Sequence, residues 1–442
     1  MPESKPTSSP QNGILEKWFH LKENNTDVNT EILAGLVTFM TMAYVVIVHP
    51  AILSGAGMPM QPLVVVTALI TAVSTIFMAF YTNRPFALAP AMGSNAFFAY
   101  AIVAEGLATW QQALGMVFIS GIVFLILTIM GLREAIVNLV PRSIKVSVGA
   151  AVGLFIAQLG FSNAGLVTAR DGLLRIGDIK QPEAILAIIG FFLIAMLMAL
   201  KIKGALLWGI LGTTIIGIPM GITQIPDTFI STPPGIGEIV LQLDILGSLR
   251  LMFIPLMFTF FAGDFFSTMG TLLGVGGKAG LLDEHGDLPG IERPFLVDAL
   301  ATTFGSLLGT STVTTYIESA SGVEEGGRTG LTALVTGLIF ALMLFFTPVA
   351  TMIPGAATAP ALILIGLLMM PAIVSIDFDD FTESLPAFIT IVFTAFTFNL
   401  ANGISLGIIT FVLVKLLSGR RAEIPAGLYV LCLPLIYYFY LL

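Results

Sequence analysis

The sequence predicts an all-α polytopic membrane protein of about fourteen spans, arranged as two inverted repeats of about seven. Three observations carry that prediction. The first is composition: of 442 residues, 56% are hydrophobic and 10% are charged, and the apolar windows run to about 17–22 residues, enough to cross a ~30 Å hydrocarbon core. The second is their arrangement. Windows fall near 31–49, 62–80, 86–104, 112–131, 144–162, 183–200 and 204–220, then near 252–275, 294–308, 310–322, 330–350, 358–373, 386–400 and 404–417, with a further apolar stretch at 426–442. The third is charge. With the N-terminus inside, all but four of the 19 Lys and Arg residues, Arg133 among them, lie on the inner side; Arg170, Arg175, Lys180 and Arg250 lie outside.

The organisation follows in chain order. Residues 1–28 are polar with no apolar core before a cleavage site, so they read as a disordered cytoplasmic tail rather than a signal peptide. Residues 29–221 form the first repeat, 222–247 an extracytoplasmic linker and 248–442 the second repeat. Val103 to Gly106, before one helix, echoes Val323 to Gly326 before another, and Pro182 to Leu186 echoes Pro386 to Thr390. A repeat with an odd number of spans must enter the membrane upside down, and inverted repeats with helices broken at mid-depth are typical of secondary transporters.

Three polar interruptions stand out. In the third span, Pro90 and Gly93 break the helix, and Asn95 sits where a new half-helix would begin, as a cap or as a ligand contact. In the eighth, Asp264 is near the centre, with Ser267, Thr268 and Thr271 on the same helix face. That stripe faces protein or water; Asp264 either bonds a neighbouring half-helix N-terminus or carries a proton or ligand. In the tenth, positions 310 to 315 hold five Thr and Ser residues, followed by Glu318. Extended backbone at membrane depth is tolerated only where it lines a cavity or packs on protein. A buried ionisable residue costs roughly 2.5–3.5 kcal/mol on insertion scales, so Glu318 reads as a site residue, with capping of a helix from Ser319 as the alternative. Short extended strands are thus expected in spans 3 and 10.

Other classes are excluded or weakened. No basic stripe suggests nucleic acid, and the single Cys432 makes no internal disulfide or thiolate metal site. The glycines between Gly274 and Gly280 lack the phosphate-loop spacing. No cofactor or metal is expected, and no nucleophile elbow is present. His49 reads as structural, Asp298 as a hydrogen-bonded anchor, and Asp377, Asp379, Asp380 and Glu383 as a solvated acidic loop.

The stretches GLVTFMTMAYVVIVHP (35–50), APAMGSNAFF (89–98) and GTSTVTTYIESASG (309–322), extended by GGRTGL (326–331) and ATAPAL (357–362), resemble the Azg-type guanine/hypoxanthine/adenine permeases of the nucleobase–cation symporter-2 family. The resemblance covers nearly the whole chain from about residue 25. It implies a core domain from spans 1–4 and 8–11, a gate domain from spans 5–7 and 12–14, and proton-coupled purine uptake across the inner membrane, not enzymatic activity. The substrate would lie between the third, eighth and tenth spans, with Asn95, Asp264 and Glu318 at the family's binding and coupling positions. One position departs from the pattern: where the family commonly has a second aspartate, this chain has Ser267.

A purine is a flat apolar disc with hydrogen-bonding edges. Glu318 suits its ring N–H groups, Asn95 can donate and accept, the backbone around Thr315 and Tyr316 offers donors, and Phe97, Phe98 or Phe261 can cover a face. Proton coupling falls to Asp264, with Glu318 next. The expected partners are purine nucleobase, protons and lipid, with a homodimer left open. The competing readings are uracil, xanthine, urate or a small anion on the same architecture and, remotely, an intramembrane aspartyl protease.

Overall fold

The computed structural model describes residues 13–131, 140–170, 173–284, 287–397 and 399–441. Arg133 and residues 1–12 of the expected tail lie outside the described residues. Residues 13–28 are ordered, which corrects the expectation of a disordered tail. Helix α1 (Gly13–Phe19) buries Phe19 beside Leu331, Leu334 and Val335. Asn83 donates to the Phe19 carbonyl at 3.0 Å. The polar composition hid an apolar edge with somewhere to pack.

Helices α2 (Val28–Met42), α3 (Val45–Ser54) and α4 (Met60–Thr82) follow. Asp27 caps α2 by accepting from the Asn29 and Thr30 amides at 2.9 and 3.1 Å. Strand β1 (Leu88–Pro90) then leads into half-helix α5 (Met92–Ala96), which continues as a π-wound turn over Phe97–Ala104. Next come α6 (Trp110–Ile129), α7 (Arg142–Asn163), an unforeseen hairpin of β2 (Val167–Arg170) and β3 (Leu173–Ile176), α8 (Pro182–Ala199) and α9 (Ala205–Gly217).

After an irregular linker come α10 (Ile254–Lys278), α11 (Glu292–Leu308), β4 (Val313–Thr315), half-helix α12 (Ser319–Glu324) and α13 (Gly330–Met343). The chain closes with α14 (Gly355–Met369), α15 (Phe381–Thr397), α16 (Leu400–Leu417) and α17 (Ala426–Leu441). Among the described residues, nine helical segments are long and apolar enough to cross a membrane.

The helices pack as two groups. In one, α13 lies along α4 and α2, α11 along α6 and α4, α10 on α6, and α12 on α2. In the other, α7 lies along α14 and α15, α15 along α16, α8 on α9 and α14, and α17 on α16. Helix association inside a bilayer depends on close packing, which small residues permit. Accordingly, a Cβ on Gly153 of α7 would come within 2.7 Å of the Gly366 carbonyl of α14, and one on Gly160 within 2.8 Å of the Ala359 carbonyl.

The antiparallel pair β1–β4 joins the third and tenth apolar segments, with Leu88 opposite Thr315, Ala89 opposite Thr314 and Pro90 opposite Val313. Pro90 has no N–H to give, so the ladder passes to Ala91, whose amide donates to the Thr312 carbonyl at 2.9 Å. Ala91 is therefore extended and α5 starts at Met92, three residues earlier than the Asn95 cap expected from sequence. Asn95 sits inside the helix, its own amide bonded to the Ala91 carbonyl at 2.9 Å. The acidic loop is also paired: Asp380 meets Arg420 at 2.6 Å and Glu383 meets Lys415 at 2.8 Å.

Candidate functional site

A cavity of about 280 Å³ opens between the two helix groups, beside the starts of α5 and α12. One wall carries Tyr44, Ser94, Phe266, Ser267, Thr315, Tyr316 and Glu318; the other carries Lys145, Val152, Leu368, Met369 and Leu400. Hollows of 430, 600 and 730 Å³ lie elsewhere; none of them touches β1, β4 or the half-helices. The smaller cavity is the one the broken helices surround. Two glycines shape it: a Cβ on Gly93 would collide with the Val152 side chain, whereas Gly263 faces open space with Ser94 Oγ 3.9 Å away.

Glu318 occupies the cap position of α12, yet its side chain makes no capping bond. Its carboxylate instead accepts from the Tyr44 hydroxyl at 2.7 Å. This disposes of the capping alternative and leaves carboxylate lone pairs facing the cavity. The chain under it is held rigidly. The Tyr316 amide donates to the Ala87 carbonyl at 2.9 Å, and its hydroxyl to the Pro90 carbonyl at 2.5 Å. The amide and hydroxyl of Thr315 both donate to Asp298 Oδ1, at 2.7 and 3.0 Å.

Asp264 lies behind the cavity wall and does not meet a half-helix N-terminus. Its Oδ2 accepts from the Thr302 hydroxyl at 2.7 Å, and Thr302 Oγ1 in turn accepts from the Val313 amide at 3.0 Å. Asp264 and Asp298 thus flank β4. The Thr268 and Thr314 hydroxyls are 2.7 Å apart in the same layer. On the β1 side, Asn95 Oδ1 accepts from the Ser311 hydroxyl, and His49 bridges Thr67 at 2.6 Å and Thr310 at 2.9 Å.

Of the residues singled out from sequence, Glu318, Thr315 and Tyr316 come together on the cavity wall, and Asp264 and Asn95 form a second layer behind it. Phe97 and Phe98 do not line the cavity: both are fully buried and pack on Phe260, at centroid distances of 5.1 and 6.5 Å. Phe261 stacks on Phe265 at 5.7 Å. The aromatic ring that lines the cavity from α10 is Phe266. Tyr44, Ser94 and Thr302 went unread, whereas Asp298 is the hydrogen-bonded anchor expected from the sequence, holding Thr315. Tyr44 lies inside the 35–50 stretch that carries the resemblance, which was the available signal.

Comparison with known proteins gives consistent results. A permease-family model, Xan_ur_permease, matches residues 29–406. The adenine permease AdeP of Escherichia coli is 42% identical over 419 residues, covering 95% of this chain and 94% of that protein. The guanine/hypoxanthine permease PbuO of Bacillus subtilis is 37% identical over 414 residues, covering 92% and 96%. Among solved structures, the transmembrane domain of the cyanobacterial bicarbonate transporter BicA superimposes with a TM-score of 0.62 at 15% identity, covering 85% of this chain and 97% of that one. This last likeness concerns the fold alone.

Proposed function

Because the chain belongs to the Xan_ur_permease family of permeases and is a multi-pass membrane protein, we propose that it takes up a purine nucleobase by proton symport across the cell's inner membrane, with its N-terminus cytoplasmic. The observation that carries this reading is the carboxylate of Glu318 on the wall of a small cavity at the start of a half-helix. A volume of 280 Å³ suits a ligand at the small end of the ~300–1,000 Å³ range of ligand pockets. Glu318 accepts the ring N–H groups, Tyr44 fixes its orientation, Ser94 and Ser267 supply hydroxyls, and Phe266 and Tyr316 border the flat face.

In the proposed cycle Asp264 carries the proton. Its neighbour Asp298 stands on the next helix, so Ser267 in place of the family's second aspartate still leaves two acids flanking β4. The helix group containing α2–α6 and α10–α13 is read as the core and that containing α7–α9 and α14–α17 as the gate. The antiparallel β1–β4 pair would lie near the pseudo-twofold axis of two inverted repeats, 29–221 and 248–442.

The test is uptake of labelled adenine and hypoxanthine into cells lacking their own purine carriers, with and without an uncoupler. Uncoupler-sensitive uptake of one base, competed by the other, supports the reading. Absence of uptake of both, or uptake indifferent to the uncoupler, overturns it.

A further inference from the structure

Lys145 has no place in the mechanism above, yet it holds a distinctive position. It lies in the first turn of α7, half-buried, with its ammonium 5.5 Å from the centroid of the Phe266 ring of α10. Both side chains line the 280 Å³ cavity. Lys145 also lines a second hollow of 730 Å³, together with Arg142, Asp377, Glu383 and Glu423, and the charge distribution of the sequence puts Arg142 and Lys145 on the inner side. One side chain therefore forms part of the wall of both chambers. The contact also joins the two helix groups, which meet sparsely here: α7 touches α10 at few points while packing along α14 and α15 for most of its length.

We propose that Lys145 and Phe266 form the inner gate of the transport path, closing the cavity toward the cytoplasmic vestibule, and that an aromatic heterocycle passes by replacing the Phe266 ring beneath the ammonium. A cation over a ring face is a short-range attraction that is easily made and remade. It closes the path when α7 approaches α10 and yields when the two helix groups move apart. A nucleobase has its own π face, so Lys145 is never left without a ring as the base moves through. The proposal rests on the cavity being the substrate site, so its test must separate the two.

The chain supplies a convenient background: with Cys432→Ser its 442 residues carry no thiol. Gly263→Cys then places one thiol in the cavity, at a position with room for a side chain. A charged, membrane-impermeant thiol reagent is added to inside-out vesicles without any base present. The parent should react slowly. Lys145→Ala and Phe266→Leu should each react roughly tenfold faster, because the ring–cation closure is gone. Lys145→Arg and Phe266→Tyr keep a cation over a ring and should remain slow, which separates gating from general loosening of the fold. Equal rates in Lys145→Ala and the parent, or equally fast rates in all four variants, overturn the gate. Protection of the thiol by adenine tests the cavity reading separately: a gate-dependent rate without protection removes the base from the cavity and leaves the gate standing.

Discussion

Two buried acidic sites, both on the membrane-embedded helices, are built on opposite principles. Glu31 of α2 is fully buried and fully bonded. Its Oε1 accepts the Arg328 and Thr329 amides at 2.8 and 3.2 Å; its Oε2 accepts the Thr332 amide at 3.0 Å and hydroxyl at 2.6 Å. It caps α13 from a neighbouring helix and has nothing left to offer. The layer around β4 is the reverse. Among the described residues, Asp264 Oδ1, Asp298 Oδ2 and Asn95 Nδ2 are buried without a hydrogen-bond partner. Buried polar groups that serve only the fold are normally satisfied, and each exception calls for an explanation. At Glu31 the carboxylate is part of the scaffold. Around β4 the unmet capacity is what a proton and a ligand would use.

That contrast predicts opposite failures. Glu318→Gln should reduce purine uptake to background while the protein stays in the membrane at normal abundance, since an acceptor-only group becomes a mixed one at the ligand edge. Near-normal uptake and affinity in this variant would remove Glu318 from the site. Glu31→Ala should do the opposite. It strands buried donors at roughly 1–3 kcal/mol each, so thermal stability in detergent and membrane abundance should fall while the KM of the surviving protein is unchanged. A shifted KM at normal stability would mean that Glu31 is not merely scaffold.

Asp264→Asn comes next. An amide mimics the protonated carboxyl permanently, so base binds and counterflow exchange continues, but accumulation against a gradient fails. The measurement is counterflow beside concentrative uptake in proteoliposomes with an imposed proton gradient. Accumulation at the unmodified rate would place the proton elsewhere, with Glu318 the next candidate.

Hydropathy and the polar interruptions made the helical fold and the positions of the broken helices readable in advance. Hydroxyls, Pro90 and Gly93 in otherwise apolar windows have no lipid-facing use, and they mark β1, β4 and the half-helices. The directions of side chains were not readable. A shift of three residues in the start of α5, caused by the Ala91 to Thr312 bond, turns Asn95 toward Ser311 instead of the cavity. Phe97 and Phe98 fall in the π-wound turn, where helical spacing no longer predicts facing, and they pack on Phe260. The nearness of Asp298 to Asp264 is a tertiary fact, since it depends on α11 returning beside α10.

Asn95→Ala is expected to cost about tenfold in apparent affinity, because it leaves the Ser311 hydroxyl unpaired behind the wall. Loss of the protein from the membrane, rather than weakened binding, would assign Asn95 to the scaffold alongside Glu31. An equilibrium binding isotherm on purified variant decides between them.

The last prediction is of no effect. The loop acids outside the membrane are held by surface partners. The Thr382 hydroxyl and then Arg420 keep the Asp380 carboxyl well below the usual carboxylate range, and Arg420 and then Lys415 lower that of Glu423. A carboxylate lowered in the folded state adds stability that is present above its ordinary pKa of about 4 and is lost only as pH falls through the lowered value. Between about pH 5 and 8 these groups stay ionised in both states and contribute no slope. Arg420→Gln moves them back toward about 4, still below that window. The pH profile of purine uptake in Arg420→Gln should therefore overlie that of the parent, whereas Asp264→Asn should flatten it. A profile that moved with Arg420→Gln would mean that it reports the surface pairs, and the claim that the unsatisfied interior carries the proton would lose its support.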